Sequence, residues 1–99
     1  MNEATPVAAG DPSESMKNLV QEIVQALVDK PENVSVELVT DRDSTVIRLR
    51  VDHQDIGKVI GKQGRTARSL RTILGAASMK LHQRFSLDIL EEDEQPRTP

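Results

Sequence analysis

Ninety-nine residues suffice for one small domain, and with no cysteine, tryptophan or tyrosine its core must form from aliphatic side chains and Phe85, without disulfides. The same omissions exclude thiolate metal sites, cysteine nucleophiles, and the aromatic platforms on which RRM sheets and OB-type single-strand binders stack bases. The net charge of −3 argues against a polyanionic partner until placement is considered: no Asp or Glu lies between Ile56 and Leu87, whereas Lys58, Lys62, Arg65, Arg68, Arg71, Lys80 and Arg84 all do.

Residues 1–11 are polar and proline-bearing, without apolar periodicity, and are expected to form a disordered tail. Residues 1–15 are acidic and interrupted by Pro6 and Pro12, unlike the basic-then-apolar profile of a secretory leader, and no apolar run approaches the ~20 residues that span a bilayer, so a soluble cytoplasmic protein is expected. Asp11-Pro12-Ser13-Glu14 predicts a helix start, with Asp11 as N-cap, Pro12 at the first helical position and Glu14 placed to reach back. Met16, Leu19, Val20, Ile23, Ala26 and Leu27 fall on one side of that helix, and Asn18, Gln21, Glu22, Gln25 and Asp29 on the other. It should stop near Asp29, because Lys30 precedes Pro31. Residues 33–40 and 45–51 alternate apolar and polar side chains and predict two half-buried strands joined as a hairpin. Asp52 is placed to cap a short helix over residues 53–60. From residue 64 to about 81, Ala67, Leu70, Ile73, Leu74, Ala77 and Leu81 form one stripe of a long helix, with Arg65 and Arg68 pointing away from it and Arg71 on its flank. Phe85, Leu87 and Ile89 mark a third strand. Residues 91–99, beginning Glu91-Glu92-Asp93-Glu94, are expected to be an acidic disordered tail, which leaves 12–90 as the folded unit.

The stretch from 56 to 71 organises this order. Gly61-Lys62-Gln63-Gly64 sits between two helices, preceded by Ile56, Val59 and Ile60 and followed by Arg65, Arg68 and Arg71. Paired glycines allow positive φ and close approach of another chain, and the start of the following helix favours an anion. The spacing of Gly57, Gly61 and Gly64 fits neither the P-loop nor the dinucleotide fingerprint. His53 and His82 lack ligand-spaced companions, and no nucleophile, base and acid grouping is legible. Neither an enzyme nor a bound metal or cofactor is expected.

Val59-Ile60-Gly61-Lys62-Gln63-Gly64-Arg65 resembles the signature of the KH domain, an RNA-binding module whose Gly-x-x-Gly loop clamps ~4 nucleotides of backbone. The element order α-β-β-α-α-β resembles the type II (prokaryotic) KH fold, an α+β fold with a three-stranded sheet and helices packed on one face. The small free-standing bacterial proteins of the KhpA family are similar, with a Gly-Lys-x-Gly-Arg loop and a leading amphipathic helix. What the resemblance implies is single-stranded RNA binding through Gly61, Lys62, Gln63, Gly64, Arg65 and Arg68, with Lys58 upstream, and with Ile56, Val59, Ile60 and part of the second strand lining a groove for bases. It also implies an RNA chaperone or post-transcriptional regulator that self-associates or pairs with a larger KH-containing protein, KhpB. The alternative is a KH fold serving as a protein-interaction module without direct RNA contact. Gly75 and Met79 share the exposed side of the long helix with Arg68 and Thr72, where a second helix could approach.

Overall fold

The computed structural model describes residues 11–92, and the expectations for 1–10 and 93–99 lie outside them. Helix α1 (Pro12–Leu27) begins as its sequence predicts: Asp11 is extended, its carboxylate accepts from the Ser13 amide at 3.0 Å, and Pro12 occupies the first turn. Strands β1 (Ser35–Asp41) and β2 (Ser44–Val51) pair antiparallel around a two-residue turn, in which Arg42 takes a left-handed φ of 54°. A 3-10 turn at His53–Asp55 leads into α2 (Ile56–Ile60), and α3 (Arg65–Leu81) follows the glycine loop. Strand β3 (Arg84–Glu91) then returns parallel to β2, so the mixed sheet has the order β1-β2-β3 with β2 in the centre.

The alternation read from the strands places Ile47, Leu49 and Val51 of β2, and Phe85 and Leu87 of β3, on the covered face, all at most 6% exposed. Val20 and Val24 of α1, Val59 of α2, and Ala67, Leu70 and Leu74 of α3 close over them, so the core is a single layer between helices and sheet. This is the α+β order expected of a type II KH fold. No helix among the described residues is long and apolar enough to cross a membrane.

Two helix faces differ from their sequence reading. In α1 the fully buried position is Val24, while Leu19 and Leu27 remain about two-fifths exposed and Ala26 faces solvent. The rotation is fixed by a polar pin at the other end of the helix: the Gln83 amide donates to the Ser13 hydroxyl at 3.1 Å and to Thr45 at 2.7 Å, drawing Ser13 inward. In α3, Ile73 is half exposed, and the stripe narrows to Ala67, Leu70 and Leu74. Helix α1 also stops at Leu27, short of Asp29, for a tertiary reason. The Asp55 carboxylate, 1% exposed, accepts the Asp29 amide at 3.1 Å and the Lys30 amide at 3.0 Å, turning the chain out of the helix.

Asp52 caps the 3-10 turn through the Gln54 amide at 2.9 Å and also accepts from the Asn33 side chain at 3.2 Å, with Lys30 at 3.6 Å. The Gln54 amide is the largest influence on its carboxyl, outweighing partial desolvation. With help from Lys30, Asn33 and His53, it holds the pKa below the ordinary 3.8.

Two outcomes follow from these carboxylates. Asp55→Ala removes the buried acceptor of the Asp29 and Lys30 amides and should lower unfolding free energy by about 1–3 kcal/mol in a urea titration. The stability linked to Asp52 is fully present above pH 3.8 and is lost as pH falls through its lower folded-state pKa. Asp52→Asn should therefore flatten the acid limb of a stability-versus-pH profile below that value.

Candidate nucleic-acid interface

Helix α2 ends where the Gly61 amide bonds the Gly57 carbonyl at 2.8 Å, and Gly61 then takes φ 80°, ψ 171°. A side chain there is excluded twice, by the left-handed φ and because a Cβ would stand 2.8 Å from the Thr66 Cβ and 2.9 Å from the Thr66 amide nitrogen. The loop closes on itself, with Gly64 N–H bonding Gly61 O at 3.1 Å and Arg65 N–H bonding Lys62 O. Gly64 is left-handed at φ 73°, and Gln63 beside it takes φ 57° although it carries a side chain. Three of the four loop residues are thus left-handed, which pushes Lys62 and Gln63 out as an exposed tip.

The arginines are organised around that tip. Arg65 donates to the Gln63 side-chain oxygen at 2.9 Å, and Arg68 donates to the Gln63 carbonyl at 3.2 Å. Among the described residues, no ion pair engages Lys62, Arg65 or Arg68, so their charges face solvent at the positive end of the 17-residue α3 dipole. A shallow depression of about 430 Å³ continues along the exposed side of α3, lined by Arg65, Arg68, Ser69, Thr72 and Ile73.

The structure therefore brings Gly61, Lys62, Gln63, Gly64, Arg65 and Arg68 into one cationic rim. The other sequence-derived candidates sit differently. Val59 is 0% exposed and supports the loop from inside the core, where no ligand reaches it. Ile56 and Ile60 are half-buried, Ile56 against the core. Lys58 is turned toward α1, with its ammonium 3.3 Å from the Asp29 carboxylate and 3.9 Å from Asp55.

Strand β2, part of which the resemblance implied would help line a groove for bases, is the central strand and is paired along both edges. The open strand edge beside α3 belongs to β3. There the Phe85 amide donates to the Ser78 hydroxyl at 3.0 Å, and the Leu87 carbonyl accepts from Arg71 at 3.0 Å, so α3 and β3 run antiparallel across a groove. Arg71, Leu74, Phe85, Ser86 and Leu87 line a hollow of about 180 Å³ within it. Leu74, Phe85 and Leu87 were legible only as core residues. Arg71 was legible on the flank of the helix, and that position was the available signal.

Residues 17–89 match the family model described as the KH domain of KhpA/KhpB. Among curated relatives, the chain is 50% identical over 76 residues to the RNA-binding protein KhpA of Halalkalibacterium halodurans, an alignment covering 77% of this chain and 100% of that one. It is 47% identical over 77 residues to RNA-binding protein KhpA of Aquifex aeolicus, covering 78% and 98%. For the same-named protein of Borreliella burgdorferi, identity is 44% over 73 residues, covering 74% and 89%. Among solved structures, the Era protein of Aquifex aeolicus superposes with a TM-score of 0.52 at 17% identity, over 77% of this chain and 30% of that one. That likeness concerns the fold alone. With its loop, its element order and these relatives in agreement, the chain belongs to the KhpA/KhpB KH-domain family.

Proposed function

We propose that this protein binds single-stranded RNA, with the sugar-phosphate backbone held at residues 61–64 and the bases directed along the α3–β3 groove. The observation that carries this reading is the exposed, acid-free rim of Lys62, Arg65 and Arg68 around a loop whose glycines admit a second chain closely. Phosphate contacts of this kind position a strand without reading its sequence, while the apolar hollow beside Arg71 offers a place for an unstacked base. Curated relatives that align with most of this chain bear the name RNA-binding protein, which supports the same conclusion. A role as an RNA chaperone or post-transcriptional regulator in the cytoplasm is the biological setting that we propose for this binding.

A single groove offers few contacts, and pairing two grooves raises avidity without new chemistry. Met79, 79% exposed, leaves apolar surface on the outer side of α3 one turn from the exposed Gly75, and Ile73, 49% exposed, adds a separate apolar position at the margin of the core stripe. That surface supports self-association or pairing with a larger KH-containing protein of the KhpB type. It also favours the second reading, in which the fold is a protein-interaction module.

Binding measurements on loop variants separate the two readings. Lys62→Asp combined with Gln63→Asp should leave the thermal melt unchanged, because position 63 is left-handed and Asp accepts that conformation readily. Fluorescence anisotropy with an unstructured RNA should show loss of binding, and equal affinity of variant and parent would remove the loop from the mechanism. Arg68→Ala should lower the slope of log K against log salt by about 0.7, the contribution of one phosphate contact on a single strand.

A further inference from the structure

The antiparallel packing of α3 on β3 fixes where the acidic end of the chain leaves the fold. From the Arg71–Leu87 contact, Arg65 lies six residues back along α3, about 9 Å at helical rise. Glu91 lies four residues forward along β3, about 13 Å at strand rise, in the same direction. Glu91 also pairs in register with Val51, the last residue of β2, from which the chain proceeds through α2 to the loop. Glu91 and the glycine loop therefore share one end of the molecule, on the two sides of the same groove. Glu92, Asp93 and Glu94 follow at once in the sequence, and Lys62, Arg65 and Arg68 have no carboxylate partner among the described residues.

The acidic run also stands outside what the family shares. The family match stops at residue 89, and full-length relatives of this family align end to end within 75 or 76 residues of this 99-residue chain. A tethered segment acts at an effective concentration in the millimolar range, enough for a weak multivalent ion contact to fill a site that a free peptide would leave open. We propose that residues 92–94 occupy the Lys62–Arg65–Arg68 rim in the RNA-free protein and compete with RNA phosphates for it. The competition rests on the RNA-binding reading above, whereas the contact between tail and rim does not. Functionally, the tail removes weak, single-phosphate encounters and leaves strands that engage loop and groove together.

Two measurements on the full chain test this. The chain has no cysteine, so Gln95→Cys accepts a single nitroxide. In the RNA-free protein at low salt, that label should broaden the amide NMR signals of residues 61–68. The broadening should disappear in high salt, on adding RNA, and in the background Glu92→Gln, Asp93→Asn, Glu94→Gln. That triple variant, without the label, should bind an unstructured RNA about threefold to tenfold more tightly than the parent at about 50 mM salt, the two converging as salt screens the contact. Loop signals untouched by the label overturn the proposal, as does an unchanged RNA affinity in the triple variant. Broadening of the loop with no RNA bound by any variant would retain the tail contact and defeat the functional reading instead.

Discussion

The carboxylate of Asp55 accepts two amides from residues 25 and 26 positions away, and so joins the exit of α1 to the entrance of α2. A buried carboxylate is costly unless its lone pairs are filled, and here the filling donors are the two amides just past the end of α1. One interaction thus ends α1, sets the offset of β1, and fixes the direction in which α2 delivers the glycine loop. Asp52, three residues earlier, makes a lighter version of the same connection through Asn33. The loop is left-handed at three positions and cannot define its own orientation; it inherits that orientation from these acids and from Val59 beneath it.

Charge acts locally in this molecule. A net −3 over the whole chain coexists with a 32-residue stretch free of acids, and because exposed charges act over only ~8 Å at physiological salt, the field at the loop is set by the groups around it and not by the total. Helix α3 concentrates the effect, since its arginines and its dipole are positive at the same end. Lys58 shows the limit of reading charge from sequence. It stands three residues before the loop, yet Asp29 and Asp55 hold its ammonium on the α1 side.

What could be read in advance was whatever is governed by neighbours in the chain. Asp11 and Asp52 as caps, the alternation in β1 and β2, and the glycine loop between two helices depend on local backbone chemistry and emerged as expected. What escaped was set by contacts distant in sequence. The rotation of α1 follows from Gln83 reaching Ser13, 70 residues apart, and shifts Leu19 outward in favour of Val24. The open edge that β3 presents beside α3 was not foreseen. That β2 would be central, with β3 supplying the open edge, is a property of the parallel pairing that no local pattern carries.

That pairing has a consequence for how the domain tolerates change. Strands β2 and β3 meet in register from Ser44 with Arg84, so the connection between them encloses α2, the loop and α3 entire. The entropy of closing so long a crossover grows only logarithmically, with a doubling of its length costing about 0.6 kcal/mol, and one or two inserted residues at the loop tip would hardly register in the global folding equilibrium. The dependence runs in one direction: the recognition tip requires the scaffold, while the scaffold is nearly indifferent to the tip. Ligand preference in this architecture can therefore drift without endangering foldedness.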